Sequence, residues 1–116
     1  MKPEIINYIN TYYRHLRTLA ESKAERHIYN FPRVKDEPAG SSKRKILEEK
    51  GWISNDPEVL KLLDKGPDFF YDTIAKRIFD EHRNKIFFNN CPKCGSLART
   101  PLAKQCRHCF YAWHDK

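Results

Sequence analysis

The chain has 116 residues, enough for one ordinary domain or for a small domain with a still smaller appendage. Charged residues make up 32% of it and the mean hydropathy is -0.81, which excludes a membrane-embedded chain and predicts a folded protein with an ionic surface. No segment approaches the roughly 18 apolar residues of a membrane span, and the first residues lack the apolar run of a signal peptide. We therefore expect a cytoplasmic protein with no membrane partner.

The formal net charge is +7, and most of it lies late in the chain. Residues 91–116 carry five basic side chains and one acidic side chain, whereas the first 90 residues carry 17 and 14. A basic excess favours an acidic partner such as nucleic acid. Four thiolates around a divalent zinc ion would contribute a charge of about -2, which weakens this electrostatic argument.

The first predicted element is one amphipathic helix from Pro3 to about Arg26. Its apolar residues recur at intervals of three and four, beginning with Ile5 and Ile9. The same spacing occurs in coiled-coil seams, but here it covers little more than two heptads, where three or four are typical. We favour a helix that packs within its own domain, and we expect a monomer.

A loop and three further helices are predicted next. Residues 30–42 contain two prolines, a glycine and two serines without periodicity, which is typical of a loop. A short helix follows and is predicted to stop at Gly51. The next helix begins at Asn55 or Asp56, whose side chains are good N-caps. The last, from residue 67 to about residue 83, has a broad apolar face that we expect to be buried.

All four cysteines come after residue 90, in two Cys-x-x-Cys pairs. Cys91 and Cys94 form the first pair, and Cys106 and Cys109 form the second after an interval of 11 residues. Such a turn brings two sulfurs to one metal ion while its backbone amides donate hydrogen bonds to them. Four thiolates complete a tetrahedral zinc site and leave no position for water or substrate. The sequence therefore predicts one structural Zn²⁺ ion, no catalytic residue and no enzyme activity.

Other chemistries also use paired cysteines. Redox catalysis needs a thioredoxin-like strand-helix-strand context, which the sequence lacks, and a reducing compartment disfavours structural disulfides. Rubredoxin-like iron takes the same four ligands, but its two pairs are usually farther apart in sequence. His108 or His114 could replace one cysteine. With four cysteines present, we assign neither histidine to the metal.

The segment between the cysteine pairs is long enough for a β-hairpin with Pro101 near its bend, and "FYAW" suits a third strand. With "CPKCG" and "CRHC" as two knuckles, residues 86–116 resemble a zinc ribbon, although Phe110 stands where a second glycine is frequent. The segment is also similar to that of a small uncharacterised bacterial family, which implies a zinc ribbon behind helices and no known activity. We predict an α+β protein: a helical bundle of residues 1–85 and a zinc ribbon of residues 86–116.

Two classes of binding function fit this reading. In the first, basic residues of the ribbon bind the phosphates of a nucleic acid and two aromatic residues stack on unpaired bases. The candidate contacts are Arg99, Lys104, Arg107, Tyr111 and Trp113. The two aromatic residues would otherwise form the core of the ribbon. The alternative function is a protein-protein interaction or scaffold module, which the mixed charges of residues 1–90 favour.

Overall fold

The computed structural model describes residues 1–114, in which α-helices and short 3-10 turns are the regular elements. The α-helices are α1 (Pro3–Tyr12), α2 (Leu19–Asn30), α3 (Ser42–Glu49), α4 (Pro57–Leu62) and α5 (Pro67–His82). The 3-10 turns are Arg14–Leu16, Phe31–Arg33 and Arg83–Lys85. None of the helices in residues 1–114 is long and apolar enough to cross a membrane.

The described chain divides into two compact units. Unit 1 consists of Met1–Leu16 together with the described residues from Asp72 onward, and unit 2 consists of Arg17–Tyr71. Unit 2 is therefore an insertion between the two segments of unit 1, and α5 contributes residues to both units. The predicted division into domains of residues 1–85 and 86–116 stays a prediction.

The region predicted as one helix from residue 3 to about residue 26 contains two helices, so that prediction is wrong. At Tyr13, φ is -122° and ψ is 32°, and α1 ends. Thr18 then caps α2: its side chain accepts a hydrogen bond from the Glu21 N–H, and the Glu21 carboxylate accepts one from the Thr18 N–H. This reciprocal capping box starts a new helix in the middle of the apolar repeat.

The other helices confirm the predicted stop at Gly51, the predicted cap at Asp56 and the predicted extent of the last helix. The side chain of Ser41 caps α3 and that of Asp56 caps α4. Gly51 follows α3 with a φ of 75°, a conformation that glycine adopts at little cost. α5 spans the predicted residues and buries the residues of its apolar ridge, Phe70, Ile74 and Ile78.

The predicted α+β class is wrong, because residues 86–114 contain no β-strand. Antiparallel pairing is limited to two isolated bridges, Asn90 with Leu97 and Gln105 with Ala112. Each bridge joins residues on either side of one cysteine turn, and neither bridge extends into a strand. Neither the β-hairpin nor the third strand of a ribbon is present in the described chain, whereas the predicted helical part exists.

In place of a β-ladder, the buried side-chain amide of Asn89 connects the two parts of this segment. Asn89 is only 6% exposed, and its Nδ2 donates hydrogen bonds to the carbonyl oxygens of Thr100 (2.9 Å) and Ala103 (2.8 Å). The backbone carbonyl oxygen of Asn89 accepts a hydrogen bond of 2.7 Å from the Ala98 N–H. Both amide protons of this side chain are therefore used, as expected for a buried polar group. The two hydrogen bonds hold the segment between the cysteine pairs against Asn89, which lies two residues before Cys91.

Two tyrosines hold the beginning of this segment within unit 1. The hydroxyl of Tyr8 donates a hydrogen bond of 2.6 Å to the carbonyl oxygen of Phe87, and the hydroxyl of Tyr13 accepts one of 2.8 Å from the Phe87 N–H. The ring of Tyr8 also stacks on that of Phe88, with 5.9 Å between centroids. Both tyrosines are buried. α1 and the residue that follows it therefore hold in place the segment that leads into the cysteine turns.

Candidate metal centre and basic groove

The structure brings the four predicted ligands together. Their sulfur atoms all lie within 4.8 Å of one another, with 3.7 Å between those of Cys91 and Cys109 and 3.5 Å between those of Cys94 and Cys106. Sulfurs bound tetrahedrally to zinc at about 2.3 Å are about 3.8 Å apart, so this arrangement suits a metal ion. It does not suit a disulfide, in which the sulfurs are about 2.0 Å apart.

The first cysteine turn, which we call knuckle 1, comprises residues 91–95. The backbone N–H groups of Lys93 and Cys94 both donate to the sulfur of Cys91, at 3.4 Å. The Gly95 N–H donates to the Cys91 carbonyl oxygen at 2.8 Å, and Gly95 has a φ of 78°. These bonds confirm the predicted support of sulfur charge by backbone amides.

The second turn, knuckle 2, comprises residues 106–110 and repeats this geometry. The N–H groups of His108 and Cys109 donate to the sulfur of Cys106, at 3.3 and 3.4 Å. The Phe110 N–H donates to the Cys106 carbonyl oxygen at 3.1 Å, and Phe110 has a φ of 64°. Phe110 thus adopts the left-handed conformation that glycine adopts in knuckle 1.

The metal-free thiols share negative charge unevenly. Hydrogen bonds from the side chain and the backbone of Ser96 lower the pKa of Cys94 to about 6. The backbone hydrogen bond from Tyr111 lowers the pKa of Cys109, but burial and the neighbouring cysteines outweigh it and raise that pKa to about 11. Repulsion between neighbouring thiolates therefore disfavours deprotonation of all four thiols. A cation bound among the sulfurs would offset this repulsion. The donor set fits a divalent metal ion.

Trp113 lies in a small core beside the sulfurs. It is 8% exposed and packs with Cys91, Ala98 and Cys106. Tyr111 is half-buried against the same core, and its ring stacks on that of Trp113 with 6.3 Å between centroids. The structure therefore places these two aromatic candidates for base contacts together, but on the core and not on an open surface.

The three basic candidates lie along one groove of about 460 Å³ beside knuckle 2. Arg99, Lys104 and Arg107 are all exposed and line this groove together with Phe110 and His114. Within the described chain, no acidic residue lines it. We call this feature the basic groove. The structure thus brings together three of the five predicted nucleic-acid contacts and adds an aromatic ring that the sequence analysis had not assigned to them.

One acidic residue approaches the outer side of knuckle 2. Oε2 of Glu4 accepts a hydrogen bond from Nη2 of Arg107 at 3.1 Å and lies 3.8 Å from Nε2 of His108. Local sequence patterns do not reveal this contact, because Glu4 and Arg107 are 103 residues apart. The unusual position of Phe110 is visible in the sequence, because Phe110 follows the second cysteine of knuckle 2 where Gly95 follows that of knuckle 1.

No protein-family model matches the chain, and no curated protein or solved structure matches it. The resemblance to a small bacterial family therefore has no support from these comparisons. The site must be interpreted from its own residues.

Proposed function

We propose that the four cysteines hold one structural Zn²⁺ ion and that the basic groove binds single-stranded nucleic acid. Four sulfurs fill the tetrahedral shell that zinc prefers and leave no open position for a substrate. The ion's proposed role is to fix knuckle 1 to knuckle 2, and no catalytic step is proposed. The observation that carries the nucleic-acid proposal is the conformation of Phe110 beside three basic side chains.

Phe110 adopts the backbone conformation that closes knuckle 2, although a phenylalanine adopts it at a cost that glycine does not have. A left-handed backbone costs a non-glycine residue about 1–2 kcal/mol. The side chain is 72% exposed, so burial does not offset this cost. Gly95 supports the same turn in knuckle 1 without a side chain. A strained residue with an exposed ring is expected where the ring itself contacts a ligand.

The surroundings of Phe110 suit an unpaired nucleotide chain. Arginine and lysine side chains neutralise phosphates, and an aromatic ring stacks on a base for about 1–3 kcal/mol. A duplex keeps its bases stacked on each other, whereas a single strand exposes their faces to such a ring. With Trp113 buried, the proposal assigns base stacking to Phe110 and phosphate binding to Arg99, Lys104 and Arg107.

Fluorescence anisotropy with labelled oligo(dT), oligo(U) and a DNA duplex tests this proposal in the zinc-loaded protein. Three phosphate contacts predict a slope of about -2 for log affinity against log salt concentration on single strands. Arg99→Gln and Lys104→Gln should each make this slope shallower by about 0.7. Phe110→Gly should weaken binding about tenfold and leave the slope unchanged.

Lys85→Gln is the matched control, because Lys85 is exposed but does not line the basic groove. It should leave affinity for single strands within a factor of about two. An equal loss in Lys85→Gln and Lys104→Gln would show that only net charge matters. No binding at low salt would exclude nucleic acid and favour the protein-interaction alternative.

Metal content and cobalt spectra test the zinc proposal separately. The purified protein should contain one zinc per chain, and Co²⁺ in its place should show thiolate charge-transfer bands and the intense d–d bands of tetrahedral coordination. Cys94→Ser should lose these bands, whereas His108→Gln should keep them because His108 is not a proposed ligand. Iron in the purified protein, or loss of the bands in His108→Gln, would contradict the proposal.

A further inference from the structure

Unit 2 contains a cleft of about 370 Å³ that shares no residue with the basic groove. We propose that this cleft binds a free α-amino acid with an apolar side chain. The cleft combines two hydrogen-bond donors suited to a carboxylate, two carboxylates suited to an ammonium group, and an apolar wall. Its volume is within the range of small-molecule sites.

The first donor is Arg44 of α3. Its Nε atom is buried and has no hydrogen-bond partner among the described residues. Its guanidinium group lies over the ring of Phe31, with 5.2 Å from Cζ to the ring centroid. A buried donor without an acceptor is costly, and such groups are rare in folded proteins. Arg44 also lines the cleft, so a carboxylate there would meet a guanidinium group whose charge it matches.

The second donor is His27 of α2. Its Nδ1 accepts a hydrogen bond of 3.0 Å from the backbone N–H of Ser54, and its ring stacks on Phe31 at 4.8 Å between centroids. A neutral imidazole whose Nδ1 accepts must carry its proton on Nε2. Burial first, and the charge of Arg44 second, lower the pKa of His27, so the neutral form prevails near pH 7. His27 thus offers Nε2–H as an uncharged donor in the wall of the cleft.

The remaining lining residues restrict the class of ligand. Glu48 and Asp64 line the same cleft, so a simple anion would meet two negative charges and a simple cation would meet Arg44. The apolar wall comes from Ile53, Leu60 and Leu63. A molecule with a carboxylate and an ammonium group on one carbon and an apolar side chain on the same carbon matches all three kinds of surface.

An NMR titration of the zinc-loaded full chain with leucine, isoleucine and phenylalanine tests this inference. At least one of them should shift amide signals of residues 27, 44, 53–55 and 60–64 in a saturable manner. N-acetylleucine lacks the ammonium group and leucinamide lacks the carboxylate. Each should bind at least about tenfold more weakly than leucine, because one charged contact is lost.

Two pairs of variants locate the binding. Arg44→Met should weaken amino-acid binding at least about tenfold, whereas Lys45→Met, which removes the same charge from an exposed neighbour, should change it less than about twofold. Glu48→Gln should weaken binding relative to the exposed control Glu49→Gln, and it provides a second test should Arg44→Met fail to fold. Helical circular dichroism verifies folding of each variant.

Three outcomes would overturn the inference. One is the absence of a saturable shift for all three amino acids at about 10 mM. Another is equal affinity for leucine, N-acetylleucine and leucinamide. The third is unchanged affinity in both Arg44→Met and Glu48→Gln, which would place the binding elsewhere.

Discussion

Knuckle 1 and knuckle 2 make the same backbone hydrogen bonds but differ in the residue that follows their second cysteine. Gly95 takes the left-handed conformation in knuckle 1, and Phe110 takes it in knuckle 2. Knuckle 2 also lines the basic groove and contacts Glu4 of α1. The geometry of the cysteine turn thus constrains the backbone at this position but not the side chain. In knuckle 2 this position therefore accommodates an exposed aromatic side chain.

Removing one ligand should have the largest effect on both knuckles, because the proposed ion would join them. We expect Cys94→Ser and Cys109→Ser each to cost several kcal/mol, since metal binding supplies much of the folding energy of such small sites. In a Trp52→Phe background, Trp113 fluorescence should report exposure of this tryptophan in both variants and after chelation, while most helical circular dichroism remains. A variant that disorders only its own knuckle, judged by amide signals, would show that the two knuckles are stable independently.

Asn89→Ala should have the next largest effect, because Asn89 connects the approach to knuckle 1 with the segment that leads to knuckle 2. Loss of two hydrogen bonds from a buried amide predicts a cost of about 2–4 kcal/mol in the free energy of unfolding. Urea unfolding of the zinc-loaded protein measures it, and zinc should also dissociate faster. Asn90→Ala is the control because Asn90 is exposed. Equal stabilities of the two variants would contradict the role assigned to Asn89.

Exchanging the residue types of the two knuckles should produce smaller effects of opposite sign. A Cβ atom at Gly95 would meet no atom within 4 Å, so Gly95→Ala tests the backbone conformation alone and should destabilise by about 1 kcal/mol. Phe110→Gly should stabilise by a similar amount, because an exposed ring contributes little packing. Denaturant unfolding gives both values. Destabilisation in Phe110→Gly would mean that the ring supports the fold and would contradict a function for Phe110 inferred from backbone strain.

Glu4→Gln should have the smallest effect on stability. Its main effect should be on the nucleic-acid affinity that we propose for knuckle 2. The partly exposed pair of Glu4 and Arg107 is worth about 0–1 kcal/mol. Release of Arg107 should increase affinity for single-stranded nucleic acid a few-fold at low salt. Asp80→Asn makes the same change of charge at an exposed residue that does not line the basic groove. Equal gains in the two variants would attribute the effect to net charge and not to Arg107.

The parts of the site that follow from local chemistry were predictable from sequence. Four cysteines at this spacing have few alternatives to a shared metal ion, and their clustering is confirmed. The cap at Asp56 and the extent of α5 were equally local signals. The break between α1 and α2 was also readable, in the capping box of Thr18 and Glu21, but the apolar repeat runs across it and conceals it.

The other errors concern contacts between residues that are not neighbours in sequence. The predicted hairpin assumed that the residues around Pro101 pair with each other, whereas the side chain of Asn89 binds this segment. No local pattern distinguishes an asparagine that replaces a β-ladder from one in an exposed turn. The contact between Glu4 and Arg107 depends on how α1 meets the cysteine segment, which periodicity does not reveal.

The hydrogen bonds of Tyr8 and Tyr13 to Phe87 also have a consequence for the order of folding. These partners are 79 and 74 residues apart, whereas unit 2 is one continuous segment, Arg17–Tyr71. During synthesis unit 2 can close its own contacts once Tyr71 has left the ribosome, but Tyr8 of α1 and Tyr13, which follows α1, must wait for Phe87. Long-range closure of this kind slows folding. A nascent chain should therefore pass through a stage in which unit 2 is formed and α1 still lacks its partners.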